Sequence, residues 1–81
     1  MNSKSIRTYE KVMSAKSDNN IRFNDFYNLL LELGFVHRNT KGSHIQMTHR
    51  SGAFISIQNN EGKAKGFEVK ELRNKIKQYN L

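Results

Sequence analysis

The 81 residues include no cysteine, no proline and no tryptophan. Without cysteine there is no disulfide framework, no thiolate metal ligand and no cysteine nucleophile. Nothing in such a chain calls for an oxidising compartment. Acidic residues are scarce as well, seven against 14 Lys and Arg, which leaves a formal charge of +7. Long apolar runs are also missing. The longest aliphatic run is Leu29-Leu30-Leu31, far short of the about 20 apolar residues that span a bilayer. Residues Met1 to Glu10 hold no apolar segment of the kind that directs export. These absences predict a cytoplasmic protein that does not engage a membrane. An apolar fraction of 36% suits one small domain over residues 1–81, with no room for a large cofactor and none expected.

The charge that is present is uneven. Residues 1–34 carry five basic and four acidic side chains, and residues 35–81 carry nine and three. The second half therefore points to an anionic partner.

Periodicity gives the elements. Ile6, Tyr9 and Met13, with Val12 beside them, recur at helical spacing and predict a first helix over 4–16, capped by Ser3 or Ser5. After the polar break Ser17–Asn20, the stripe Phe26, Leu29, Leu30, Leu33 predicts a second helix, with Asn24 as its cap and Gly34 as its left-handed stop. Three short strands follow, Phe35–Asn39, Ser43–His49 and Ala53–Gln58, separated by two three-residue connectors that end in glycine. That register sets residue 37 against 45, Ile45 against Ile57 and Met47 against Ile55. The apolar side chains and Phe35 then share one face. The other face holds Arg38, His44, Gln46, Thr48, Phe54, Ser56 and Gln58, with Arg38 opposite His44 and His44 opposite Gln58. A loop, Asn59–Phe67, leads into a last helix over about 68–80. This helix buries Val69, Leu72, Ile76 and Tyr79 and presents Lys70, Arg73 and Lys77 as a basic stripe. The expected fold is α+β in the order α-α-β-β-β-α, a three-stranded antiparallel sheet with helices on one face.

Leu33-Gly34-Phe35, then Arg38, then Lys41-Gly42-Ser43-His44-Ile45 resembles the HicA toxin family. The tail Gln58…Gly62-Lys63-Ala64-Lys65…Val69-Lys70-Glu71-Leu72-Arg73 is similar to its longer members. The likeness covers roughly residues 4–81. It implies a double-stranded-RNA-binding-domain-like fold and an endoribonuclease that cleaves mRNA (an mRNA interferase) as the toxin of a toxin–antitoxin pair. It also implies His44 as the residue needed for activity, and a HicB-type antitoxin protein as the silencing partner. This chain departs from many relatives at His37, where they are apolar, at Ile45, where they carry a second histidine, and at Asn59-Asn60, where they read Pro-His.

The chemistry asks for few groups. The 2′-hydroxyl of RNA attacks its own phosphodiester without a metal once a base removes its proton and cations meet the charge gathering at phosphorus. Histidine titrates near neutral pH and serves either proton role. Arg38, Lys41, Lys63 and Lys65 are the expected cations, together with Lys70 and Arg73 from the last helix. Gly42 and Ser43 would let the ribose backbone approach the strand. Competing readings are a non-catalytic RNA-binding module of similar fold and a protein-interaction domain that docks an acidic partner. At single residues, His44 also reads as an ordinary exposed strand residue, and the basic stripe as a solvated helix face.

Overall fold

A computed structural model describes residues 1–81. It is an α+β structure of three helices and a four-stranded antiparallel sheet: α1 (Ser3–Ser14), α2 (Phe23–Glu32), β1 (Val36–Lys41), β2 (His44–Thr48), β3 (Phe54–Asn60), β4 (Lys63–Ala64) and α3 (Gly66–Tyr79). The strand order is β1-β2-β3-β4. No helix is long and apolar enough to cross a membrane.

The N-cap of α1 is Asn2, not Ser3 or Ser5; its Oδ1 accepts the Ser5 amide at 2.8 Å. The buried face of α1 is also rotated from the predicted stripe. Ser5, Thr8 and Val12 are buried, whereas Ile6 is 44% exposed. Thr8 can go inside because its hydroxyl donates to the Lys4 carbonyl at 3.0 Å, which leaves only its methyl to pack.

Asn24 is not the cap of α2. The cap is Arg22 and the helix starts two residues earlier than predicted, at Phe23, whose amide donates to the Gly62 carbonyl at 2.9 Å. A tertiary acceptor thus replaces a capping side chain. Phe23, Phe26, Leu29 and Leu30 are buried. The helix ends in a Schellman motif: the Gly34 amide donates to Leu31 and the Phe35 amide to Leu30, with Gly34 at φ 103°.

The β2–β3 register is as predicted, with Ile45 opposite Ile57, Met47 opposite Ile55 and His44 opposite Gln58. The β1–β2 register is not. The connector is the two-residue turn Gly42-Ser43, so Lys41 opposes His44 and Thr40 opposes Ile45. Carried on unbroken, this register would turn Phe35 to solvent. A bulge between His37 and Asn39 restores the alternation, and Phe35 is 2% exposed. A short turn and one extra residue compensate each other.

The predicted loop 59–67 contains a fourth strand. Glu61-Gly62, at φ 53° and 89°, makes a two-residue turn that folds Lys63–Ala64 back onto Asn59–Asn60. The outer edge of β4 is tied down by the Ala64 amide donating to Ile21 at 2.9 Å.

Helices cover one face of the sheet and enclose a core of 15 apolar residues. Of the predicted stripe α3 buries Val69, Leu72 and Ile76, with Tyr79 near its end only partly buried, and it also buries Arg73. The Arg73 guanidinium donates to the Val12 carbonyl at 2.8 Å and to both Asp18 oxygens at 2.9 and 3.1 Å. One side chain thereby fastens the end of α1 and the following linker to α3. The Asp18 carboxylate holds the Arg73 pKa above its ordinary value.

Candidate functional site

The face of the sheet away from the helices has no element over it. Directly paired residues share a face, so Lys41, His44 and Gln58 form one row across β1, β2 and β3. The next row is Asn39, Gln46 and Ser56, and the far row is Val36, Thr48 and Phe54. His44 stands at the start of β2 and is exposed. The Gln58 amide nitrogen lies 3.1 Å from its Nδ1 and 3.2 Å from its Nε2, and the Ser56 hydroxyl is 3.3 Å from Nδ1. An amide nearly equidistant from both ring nitrogens sits over the ring face. It steadies the imidazole without occupying the in-plane direction of both nitrogens, so one remains open to solvent.

The cation across from His44 is Lys41, not Arg38. Arg38 lies in the bulge and its Nε donates to Thr48 Oγ1 at 3.0 Å. Thr48 is four residues from His44 along β2, roughly 13 Å at strand rise. Arg73, expected on the free basic stripe, is 8% exposed and engaged with Asp18. Neither arginine faces the histidine. Gly42, at φ 59°, and Ser43 form the exposed turn beside the Lys41–His44 pair.

Lys63, Lys65 and Lys70 do come together. They line a cleft of about 560 Å³ between the β3–β4 hairpin and the start of α3, with Asn60, Gly66 and Phe67. The opposite wall is Asp18 and Asn19 of the α1–α2 linker. A Cβ at Gly66 would meet the exposed Asn19 side chain, which would have to swing aside, while the Asp18 carbonyl would stay in ordinary contact at 3.7 Å. Two residues of the cleft, Asn60 and Lys63, project from the same sheet face as His44, because Asn60 lies two residues beyond Gln58 on β3 and pairs with Lys63.

The other two histidines are engaged elsewhere. His37 meets the Tyr27 hydroxyl at 3.1 Å and Thr40 Oγ1 at 2.7 Å on the β1 edge. His49 Nε2 donates to the Leu33 carbonyl at 2.9 Å, and its Nδ1 accepts the Ser51 amide at 3.0 Å. The site has one histidine.

Two participants were given no role from the sequence. Gln58 was placed opposite His44, as it is found, but its contact with the ring was not drawn. Glu68 was read as the start of the last helix; it is 1% exposed, and its Oε1 accepts the Gln58 backbone amide at 3.0 Å. Burial pushes its pKa up, against the Gln58 N–H and the charges of Lys65 and His44, which favour the ionised form. A glutamate in a first helical turn normally signals only favourable interaction with the helix dipole, so no sequence signal marks this one.

No family model matches the sequence, and no curated protein and no solved structure matches the chain.

Proposed function

We propose that this protein is a metal-independent endoribonuclease of the HicA toxin kind that cleaves mRNA in single-stranded or loop regions. In this reading its α+β fold is of the double-stranded-RNA-binding-domain type, and a HicB-like antitoxin protein silences it. The observation that carries the reading is the solvent-facing His44 in the Lys41–His44–Gln58 row, with Lys63 on the same sheet face and Lys65 and Lys70 beside it in the adjoining cleft.

His44 takes the proton from a ribose 2′-hydroxyl, and the 2′-oxygen attacks the adjacent phosphorus. The bond to the 5′-oxygen breaks, leaving a 2′,3′-cyclic phosphate and a 5′-hydroxyl that takes its proton from solvent or from the imidazolium. Lys41, across the strand pair, meets the negative charge on the phosphoryl oxygens. Gln58 orients the ring. Gly42 and Ser43 border the ribose, and Lys63, Lys65 and Lys70 hold the flanking strand. With a single histidine, one group serves both proton transfers in turn.

A second reading is a non-catalytic duplex-RNA binder. It is favoured by the gathering of Lys63, Lys65 and Lys70 at the start of α3, because duplex RNA is bound by shape and by phosphate contacts. One experiment separates the two. The purified chain is incubated with a plain transcript in EDTA, beside its His44→Ala variant. The expected result is cleavage to 2′,3′-cyclic phosphate ends by the natural chain and a loss of at least about 100-fold in the variant. Equal cleavage by both removes His44 from the reaction, and binding without cleavage by either leaves the duplex binder.

A further inference from the structure

Phe67 is the most exposed large apolar residue of the chain, at 63%. It is the second residue of α3, next to Gly66, and the one aromatic side chain of the lysine-lined cleft. Its position on the helix gives no route to the core, because Val69 and Leu72 occupy the face that packs on the sheet. The Lys65 ammonium lies 5.9 Å from its ring centroid, a cation–π contact that steadies the ring from one face. With most of the residue exposed, the other face is open to solvent.

We propose that this cleft is a nucleotide subsite for single-stranded RNA, in which a base stacks on Phe67 and its phosphate lies between Lys63 and Lys70. The inference rests on the ribonuclease reading and specifies how the strand is held beside the scissile linkage. An aromatic plane amid cations matches a ligand that joins a flat π-system to an anion. The base must be unpaired, because bases inside a duplex cannot reach a side-chain ring. The one carboxylate in the cleft wall, Asp18, does not oppose a phosphate, since Arg73 already takes both its oxygens.

The placement fits a strand that also reaches His44. From His44 to Lys63 is two strand spacings across and two residue rises along, roughly 12 Å. A short stretch of extended RNA can therefore lie across both, with the Phe67 nucleotide flanking the one that is cut. Phe67 then sets the preference for unpaired flanks and is a binding residue, not a catalytic one.

The chain has no tryptophan, so Phe67→Trp installs a single indole reporter in the cleft. In a non-cleaving His44→Ala background, titration with a short single-stranded oligoribonucleotide is expected to quench its fluorescence. The same oligonucleotide with abasic flanks is expected to bind without quenching. Binding is followed separately by anisotropy of a labelled strand. In that background Phe67→Ala and Phe67→Leu are both expected to weaken single-strand binding about tenfold, the usual size of one base–aromatic stack, and to leave duplex binding unchanged. The proposal is overturned if RNA binds without quenching the indole, if leucine restores full affinity, or if duplex binding falls equally. It is likewise overturned if Phe67→Ala spares RNA but abolishes binding of an antitoxin protein, which would make the ring a protein contact. Absence of RNA binding by every form, natural chain included, removes the ribonuclease reading itself, whereas the other failures leave it standing.

Discussion

His44 opens β2 and His49 directly follows its last residue, and the two do opposite things. At the far end, His49 spends both ring nitrogens on backbone groups, joining the end of α2 at Leu33 to the β2–β3 turn at Ser51, and its ring packs 5.1 Å from that of Phe35. At the near end, His44 meets only side chains, on a face that no element covers. The odd spacing between them sends the two rings to opposite sides of the ribbon. The same contrast recurs on α3, where Arg73 is enclosed and doubly bonded to Asp18 while Lys70 is free in the cleft. In both pairs residue type is a poor guide to role. What separates the members is whether the polar atoms already have fixed partners.

Three measurements would break or sharpen this contrast. The largest effect is expected at Arg73. Arg73→Met strands Asp18 and the Val12 carbonyl, and should cost about 3–5 kcal/mol in urea unfolding, while Lys70→Met should change stability by less than about 0.5 kcal/mol. Equal costs would show that the Asp18 pair is ornamental. Next, His49→Ala should lose about 1–3 kcal/mol through the stranded Leu33 carbonyl and Ser51 amide. On the ribonuclease reading proposed above, it should retain RNA cleavage below its melting temperature, the reverse of His44→Ala. A His49→Ala protein that is fully folded but inactive would erase the distinction between the ends.

The smallest effect concerns Glu68. Burial raises its folded pKa above the ordinary 4.5, so the native state holds this proton to higher pH than the unfolded chain does. Its contribution to stability is therefore greatest below the unfolded pKa and is lost as pH rises through the folded one. Glu68→Gln keeps an oxygen for the Gln58 amide but cannot ionise. The stability of the variant relative to the natural chain should increase from pH 4 to pH 8, as read by urea unfolding at each pH. A flat difference would mean that the carboxyl ionises as easily inside the fold as outside it.

The β2–β3 pair was legible because four apolar residues alternate on it, and a slip of one residue would have turned them all to water. β1 was not, because its six residues are all exposed and contain no such pattern. Its register depends on a turn length and a bulge that cancel, and the predicted partnership of Arg38 with His44 fell with it. The β4 strand was hidden for a related reason: Glu61 at positive φ is not the asparagine or aspartate that usually announces a two-residue turn. Arg73 was misread by spacing. It lies three residues from Lys70 and four from Lys77, but it also lies four from Val69 and three from Ile76, whose buried stripe it joins. Its partner Asp18 is 55 positions away, beyond anything helical periodicity can report. The exposed His44 and the polar outer face followed from strand alternation alone, whereas the meeting of Lys70 with Lys63 and Lys65 depends on how α3 docks against the hairpin.

The cleft has a consequence for how the protein is born. Its walls come from the linker at Asp18-Asn19, the hairpin at Asn60–Ala64 and the first turns of α3, and the clamp that draws the linker in is Arg73. A chain emerging from the ribosome can pair β2 with β3 and display His44 while the lysine pocket has no floor. The pocket closes only after the final helix clears the exit tunnel and docks. The cleft therefore cannot exist before α3 docks, whatever the order in which the strands pair.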